Sequence, residues 1–243
     1  MPWRQDTRPY YVLVSELMLQ QTQVDRVIPK FEAFIAQFPN EQALANASLA
    51  DVLRLWQGLG YNRRAKFLHE AAKKITELGS FPADVEGLVI LPGVGKNTAG
   101  AIVTYAHNQP VTFIETNVRA VYIYHFFGDH ELVDDKDIRE LLLQTIDRER
   151  PREFYWALMD YGTWLKKQGV TPSRSSHYKK QQPLKGSIRE VRGRIIARLT
   201  EGDKTYAQLR KDIGNDVRFE QALKGLVRDG LVTEGSDRIY LTT

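Results

Sequence analysis

The chain of 243 residues is 42% hydrophobic and 26% charged, proportions that fit a soluble globular protein and exclude a collagen-like or wholly disordered chain. Its lack of cysteine excludes disulfides, thiolate zinc sites, cysteine nucleophiles and iron–sulfur clusters held by thiolates. The net charge of +4 comes from the C-terminal third: residues 1–170 carry 19 Lys and Arg against 21 Asp and Glu, and residues 171–243 carry 15 against 9. No apolar run approaches the ~20 residues that span a bilayer, and the N-terminus lacks a signal-peptide pattern. We therefore expect a cytoplasmic protein with no membrane partner, associated with the nucleoid if it is prokaryotic.

Apolar residues recur at helical spacing from Pro9 to about Arg150, and no strand is predicted there. The fold class is therefore mainly α over this portion. The predicted helices cover residues 9–20, 23–37, 48–58, 63–78, 84–90 and 96–107, with two or three more in 115–167.

A polar stretch without apolar periodicity, residues 168–186, predicts a linker, so we divide the chain into domains 1–167 and 187–243. The second domain is predicted to contain helices at 187–200, 205–213 and 218–229, followed by a β-hairpin that turns at 234–237. This order is typical of a small winged-helix-like α+β domain. The segment from Arg174 to Arg198 holds eight basic residues and one acid, which fits either a solvated linker or a phosphate-binding surface.

A glycine-containing turn joins the predicted helices 84–90 and 96–107. It reads Leu-Pro-Gly-Val-Gly-Lys and comprises Leu91, Pro92, Gly93, Val94, Gly95 and Lys96. Glycines at a helix N-terminus let backbone N–H groups approach a phosphate. A tight interhelical turn without a ligand is the alternative.

Two carboxylates have sequence contexts that suit acid–base chemistry. Glu16 is flanked by apolar residues on its helix, so it either pairs with a cation or has a raised pKa and acts as an acid. Glu115 follows an apolar run and opens a helix, where a plain N-terminal acid is the alternative. A neutral and an ionised carboxyl group together suit cleavage of a bond to a sugar carbon.

Several motifs, taken in order, resemble the helix-hairpin-helix DNA glycosylase superfamily, most closely its MutY-type adenine glycosylase branch. The matching segments are Pro2-Trp-Arg4, Pro9-Tyr10, Ser15–Val24, Trp56–Tyr61 with Arg64-Ala65, Leu91–Ile102 and Asn117-Val-Arg119. The resemblance covers about residues 1–165. It implies a fold of two helical lobes with an active-site cleft between them.

By this resemblance Glu16 corresponds to the glutamate that protonates adenine. Glu115 stands where the superfamily has an aspartate that stabilises the sugar cation, and one extra methylene displaces the carboxylate by ~1.5 Å. Asn117 matches a family asparagine near the same site. The resemblance also implies DNA contacts by the segment Gln20, Gln21 and Thr22 and by the segment Tyr61, Asn62 and Arg64, with Asn62 replacing a second family tyrosine.

Asn97 occupies the position of the lysine nucleophile of strand-nicking relatives, and its amide cannot form a Schiff base. The family's cluster cysteines are missing after Gly162, and we expect packing of Trp164 and Leu165 with polar contacts from the basic segment in their place. Arg174, Lys179 and Lys180 are expected phosphate contacts.

These features predict a monofunctional DNA glycosylase that flips a base, with adenine opposite 8-oxoguanine or guanine as the leading interpretation, and hydrolyses its N-glycosidic bond. Its partner would be duplex DNA with a mismatch or damaged base, bound by a monomer. No metal or other cofactor is expected in the chemistry, and a monovalent cation at the 91–96 turn is left open. The alternatives are a thymine or uracil mismatch glycosylase and a catalytically inactive, structure-specific DNA-binding protein.

Overall fold

A computed structural model of the protein describes residues 1–128, 130–178 and 182–242. Within these ranges the chain forms fourteen helices and two short strands. In chain order they are α1 (Pro2–Gln5), α2 (Pro9–Leu19), α3 (Val24–Gln37), α4 (Glu41–Ala45), α5 (Leu49–Trp56), α6 (Arg63–Leu78), α7 (Val85–Leu88), α8 (Lys96–His107), α9 (Thr116–Phe126), α10 (Asp135–Thr145), α11 (Pro151–Lys167), α12 (Ile188–Thr200), α13 (Tyr206–Ile213), α14 (Phe219–Arg228), β1 (Val232–Glu234) and β2 (Ile239–Leu241).

The local sequence explains where several helices begin and end. Ser48 is the N-cap of α5, and its hydroxyl accepts a hydrogen bond from the backbone N–H of Asp51 at 3.1 Å. Thr205 and Gln208 form a reciprocal capping box at the start of α13. Helix α6 ends at Gly79, whose φ of +75° lies in the left-handed region that favours glycine. These boundaries are therefore encoded locally.

The chain divides into two compact units. The first contains Met1–Pro82, Leu91–Gly93 and Gln182–Thr243, and the second contains Ala83–Ile90 and Val94–Gln181. The chain thus begins and ends in the same unit. This grouping does not follow the predicted domain boundaries at 167 and 187, so an independent domain at 187–243 stays a prediction.

The N-terminal part of the first unit has an aromatic and aliphatic core in which α2, α3, α5 and α6 pack together. Leu13, Leu17, Phe34 and Trp56 are fully buried. The rings of Phe34 and Trp56 meet edge to face with their centroids 6.2 Å apart. This core supports α2, the helix that carries Glu16.

The C-terminal part of the first unit contains three helices followed by a hairpin, as predicted. Strands β1 and β2 are antiparallel, with Val232 opposite Leu241, and Lys204 adds an isolated antiparallel bridge to Ile239. Helix α12 packs against α5, α13 and α14. The strands are joined by residues 235–238, one position later than the predicted turn.

The second unit is built around the contact between α9 and α11. The ring of Phe113, in the segment before α9, stacks on Tyr155 of α11 with centroids 3.9 Å apart and planes inclined by 12°. Both rings are fully buried. This stacked pair anchors the segment that leads to Glu115.

The predicted fold class is confirmed: the described residues are mainly helical, with one small C-terminal sheet. Three helices, α9, α10 and α11, fill the region in which two or three were expected. The pattern did not predict the short helices α1 and α4, whereas it predicted a helix at 84–90 where the structure has the four-residue α7.

Candidate active site and DNA-contact residues

The segment that carries Glu115 is held by side chains of two other helices. Asn97, the second residue of α8, donates from Nδ2 to the carbonyl oxygen of Ile114 at 3.0 Å, and its Oδ1 accepts from the N–H of Ile114 at 3.3 Å. The Tyr155 hydroxyl accepts from the N–H of Phe113 at 2.9 Å and donates to its carbonyl oxygen at 3.2 Å. Because these peptide groups are fixed, the backbone entering Glu115 is fixed as well.

Helix α11 also fixes Asn117, in the first turn of α9. Its Nδ2 donates to the carbonyl oxygen of Met159 at 3.0 Å and to Oγ1 of Thr163 at 3.2 Å. The backbone of Gly162 lies so close that an added Cβ would come within 2.7 Å of the Cβ of Asn117. The buried Oδ1 of Asn117 has no hydrogen-bond partner among the described residues. Asn117 therefore offers an unused hydrogen-bond acceptor, its Oδ1, two residues after Glu115 in the chain.

Glu115 itself is the half-buried N-cap residue of α9. Burial raises the pKa of its carboxyl group above the ordinary range, and attraction to Arg119 and Lys166 opposes this rise. Arg119 is already paired with Asp135, through contacts of 2.7 and 2.6 Å. A carboxyl group that is costly to ionise and has cations nearby is a candidate for acid–base or electrostatic catalysis.

Glu16 lies on α2 between buried neighbours, including Ser15 and Leu17, and is itself half-buried, as the sequence predicts. Its backbone oxygen accepts a hydrogen bond from the N–H of Gln20 at 3.3 Å. Glu16 belongs to the first unit and Glu115 to the second. Their joint action in one reaction therefore stays a prediction.

Arg64 is buried, with 6% of its surface exposed. Burial lowers the pKa of this guanidinium to about 10, so it remains charged at neutral pH. Its terminal nitrogens donate to protein oxygens in the last turn of α2 and in the loops after α2 and α5. The acceptors are the carbonyls of Leu17 (2.6 Å), Met18 (3.0 Å), Gln20 (2.6 Å), Leu59 (3.2 Å) and Gly60 (3.1 Å), and Oγ1 of Thr22 (3.1 Å). A direct DNA contact by Arg64 stays a prediction. Arg64 joins the two loops predicted to contact DNA.

These two loops contain strained backbone positions. Gln21 has a φ of +57° and Tyr61 a φ of +47°, values in the left-handed region that non-glycine residues seldom adopt. Gln21 is exposed, and Gln20, Thr22, Tyr61 and Asn62 are half-buried. All five can therefore be reached from solvent, as a DNA contact requires.

The turn between α7 and α8 depends on Gly93. Its φ is +77°, and an added Cβ would come within 2.7 Å of the Cβ of Phe67. Gly95 is the N-cap of the twelve-residue helix α8. Of the five predicted contact residues, Gly93, Gly95 and Lys96 are exposed, Pro92 is half-buried and Val94 is buried. Phosphate binding by this turn stays a prediction.

The basic segment braces the second unit. Arg174 donates from Nη1 to the carbonyl oxygens of Phe127 at 2.7 Å, Gly128 at 2.7 Å and His130 at 3.1 Å, all just beyond the end of α9. The Arg174 carbonyl also accepts from the N–H of Val133 at 2.8 Å. These bonds occupy a side chain that was expected to contact phosphate. Lys179 and Lys180 lie outside the described residues.

The segment after Gly162 does not fit an iron–sulfur cluster, because the chain has no cysteine to supply thiolates. Leu165 is buried, and the ring of Trp164, which is 53% exposed, packs on Tyr161 with centroids 5.8 Å apart. The described residues contain no group of three or more potential His, Cys, Asp or Glu metal ligands. In the same ranges, no helix is long and apolar enough to cross a membrane.

Sequence reasoning missed the residues that position the site. Tyr155 and Gly162 of α11 fix the backbone on either side of Glu115, and Arg119 supplies a nearby positive charge. Arg119 was part of a recognised motif but had no assigned role. No local signal marks the other two, since their function depends on contact with α9.

A helical fold with a glycine-containing interhelical turn and a fixed, half-buried carboxyl group at a helix N-terminus is what the resemblance to DNA glycosylases led us to expect. Residues 14–148 match the family described as the HhH-GPD superfamily base excision DNA repair protein. The chain belongs to this superfamily and is a DNA glycosylase of base excision repair.

Individual relatives agree with this assignment. The adenine DNA glycosylase of Mycobacterium tuberculosis (strain ATCC 25618 / H37Rv) is 34% identical over 264 residues, covering 98% of this chain and 86% of that protein. The structure of a thermostable thymine-DNA glycosylase is similar with a TM-score of 0.62 and 25% identity, covering 67% of this chain and 77% of the other. A trapped endonuclease III–DNA covalent intermediate shares the fold, with a TM-score of 0.56 at 19% identity over 72% of this chain and 78% of the other.

Proposed function

We propose that the protein is a monofunctional adenine DNA glycosylase that acts on adenine opposite 8-oxoguanine or guanine in duplex DNA. The relative from Mycobacterium tuberculosis, named an adenine DNA glycosylase, supports adenine as the excised base. The observation that carries the chemistry is Glu115, a half-buried carboxyl group at the start of α9 on a backbone fixed by Asn97. The enzyme acts as a monomer in this proposal.

The two carboxyl groups have different roles in the reaction. Glu16, as a neutral acid, donates a proton to the adenine ring and makes it a better leaving group. Glu115, as an anion, stabilises the positive charge that develops on the sugar when the N-glycosidic bond breaks. The Oδ1 of Asn117 accepts a hydrogen bond from the attacking water, since it is a buried acceptor without a protein partner among the described residues. The Glu115 carboxylate takes the proton that this water loses when its oxygen bonds to the sugar carbon.

The product is an intact strand with an abasic site. Asn97 stands where strand-nicking relatives have a lysine, and both ends of its amide are bonded to Ile114. An amide has no nucleophilic amine, so no Schiff base forms there. Borohydride should therefore trap no covalent complex. A strong adduct with the wild-type protein would contradict the monofunctional assignment.

The direct test is single-turnover excision from duplexes carrying A, T, U or a damaged purine opposite G, 8-oxoguanine or C, with and without alkali. We expect fast loss of adenine opposite 8-oxoguanine or guanine and strand breaks only after alkali. A protein with Glu16→Gln serves as the matched inactive control. No adenine excision by a folded wild-type protein would overturn the proposal.

A thymine mismatch glycosylase is the second candidate, because the thymine-DNA glycosylase structure is 25% identical and shares the fold. Glu115 in place of the family aspartate and Asn62 in place of a tyrosine also depart from the adenine pattern. Excision of thymine opposite guanine at a higher single-turnover rate than adenine would establish this candidate.

A further inference from the structure

Helix α12 carries four arginines, and three of them are paired with carboxylates. Arg192 contacts Asp229 at 2.5 Å, while Arg194 and Arg198 pair with other acids. Arg189 has no carboxylate within 4.0 Å among the described residues. Its charge is therefore not neutralised by the part of the chain that the structure describes.

The guanidinium of Arg189 is nevertheless held in place. It lies 4.7 Å from the centroid of the Tyr61 ring, and its Nη1 donates to the Tyr61 hydroxyl. Its Nη2 donates to the carbonyl oxygen of Gln182 at 3.1 Å. The other three N–H groups have no hydrogen-bond partner in the described ranges, and the residue is half-buried. The guanidinium is thus held in a fixed plane, and three of its N–H groups are available to donate to a ligand.

Tyr61 connects Arg189 to the two strained loops. Its ring also contacts the buried guanidinium of Arg64, at 5.5 Å from the centroid. Arg64 bonds both the carbonyl of Gln20 and the carbonyl of Gly60, so the loops after α2 and α5 share one support. All these residues belong to the first unit. Arg189 therefore extends, from the C-terminal part of the chain, the surface predicted to contact DNA.

We propose that Arg189 binds a pair of hydrogen-bond acceptors on duplex DNA, beside Tyr61. This rests on the proposed function only in that the substrate is duplex DNA. The residues at 187–243 thereby take part in substrate recognition.

An orientated arginine fork suits two acceptor pairs in DNA: the two oxygens of a phosphate, or O6 and N7 of guanine. The aromatic support fixes the plane of the guanidinium, which a bidentate contact requires and a simple charge contact does not. Lysine supplies only a point charge, so Arg189→Lys tests whether the contact needs the planar fork, and the base opposite the lesion separates the two sources.

The experiment measures the affinity of the full-length protein for duplexes that carry a tetrahydrofuran abasic analogue opposite G, 8-oxoguanine, C or T. No glycosylase cleaves this analogue, so the result does not depend on which base the enzyme excises. We compare wild type, Arg189→Gln, Arg189→Lys and the charge-matched control Arg54→Gln, which removes an exposed arginine of α5 paired with Asp51. Arg189→Met keeps the aliphatic stem and replaces the Gln variant if that variant is unfolded at the assay temperature.

We expect Arg189→Gln to weaken binding by about 10-fold, and Arg54→Gln to stay within about twofold of wild type. If the acceptors belong to guanine, the loss is confined to the G duplex, because N7 of 8-oxoguanine carries a hydrogen and cannot accept. If they belong to phosphate, all four duplexes lose equally, and the slope of log K against log salt becomes shallower by about 0.9 for Arg189→Gln but not for Arg189→Lys, which keeps the charge.

Arg189→Gln with wild-type affinity for all four duplexes would overturn the proposal, even if its melting temperature falls. In that case Arg189 would only join the C-terminal part to the loop at Tyr61. Adenine excision by the wild-type protein is scored separately, so failure of the proposed function and failure of this inference give different results.

Discussion

Replacing Gly162 with alanine should damage both stability and catalysis, because the new methyl group meets backbone rather than a movable side chain. An added Cβ would lie 2.7 Å from the Cβ of Asn117, 2.8 Å from its carbonyl oxygen and 2.9 Å from its Cα. The shortest distance is about 0.7 Å below ordinary van der Waals contact. Helices α9 and α11 must therefore separate.

Overpacking of this kind costs about 1–3 kcal/mol of folding free energy. At about 2–4 °C per kcal/mol for a chain of this size, the melting temperature should fall by about 2–12 °C. Glu115 is only two residues before Asn117, and a displacement approaching 1 Å at a reacting centre reduces the rate by as much as about 100-fold. We expect single-turnover excision to slow by about 10- to 100-fold, with DNA affinity changed by no more than about threefold.

The matched control is Gly193→Ala on α12, where an added Cβ meets nothing within 4 Å. Alanine favours a helix interior over glycine by up to about 1 kcal/mol, so this variant should melt at the same or a higher temperature with unchanged activity. Calorimetry and quenched single-turnover assays give both quantities. A Gly162→Ala protein with wild-type melting and wild-type excision would refute the packing argument.

Three further predictions concern the carboxyl groups and the C-terminal segment. Glu16→Gln should abolish excision with DNA affinity within about threefold, because an amide of the same size cannot donate an acidic proton; substantial remaining activity would remove Glu16 from this role. Glu115→Gln should also be inactive. Burial raises the pKa of Glu115 above 4.5, so its ionisation destabilises the folded protein as pH rises through the folded pKa. The Gln variant should therefore have a higher melting temperature than wild type at pH 7 and no such gain below pH 4.5. The same difference in melting temperature at both pH values would contradict this. Truncation after Lys167 should leave no folded protein, since it removes the contacts of Arg174 with the end of α9 and of α12 with α5. A soluble product with the wild-type melting temperature, and a shallower slope of log K for DNA against log salt, would instead show that the segment only binds DNA.

Periodicity and capping residues predicted most helices, because those signals are local. The pattern of buried positions on α5, for example, follows directly from the spacing of Val52, Leu53 and Trp56. The three C-terminal helices and the hairpin were likewise predictable from apolar spacing and from the turn sequence. The short helices α1 and α4 were not predicted.

The roles of single arginines could not be predicted in the same way. The resemblance implies a DNA contact for Arg64 and the charge count a phosphate contact for Arg174, whereas the structure gives both of them backbone carbonyl partners near the ends of helices. Leu17 and Phe127, which supply two of those carbonyls, each lie 47 residues away, and only tertiary packing brings them to the two arginines. The bonds between Asn97 and Ile114 have the same origin.

Because residues 1–82 and 182–243 belong to the same unit, its parts are synthesised at separate times. The faces of α5 and α6 that contact α12 and Asp229 leave the ribosome early, but their partners are made about 130–160 residues later. At about 5–20 residues per second, that interval is roughly 7–33 s. All residues of the second unit are synthesised before the last residues of the first unit, so the second unit can finish folding first. During that interval the N-terminal helices expose apolar surface that chaperones can bind.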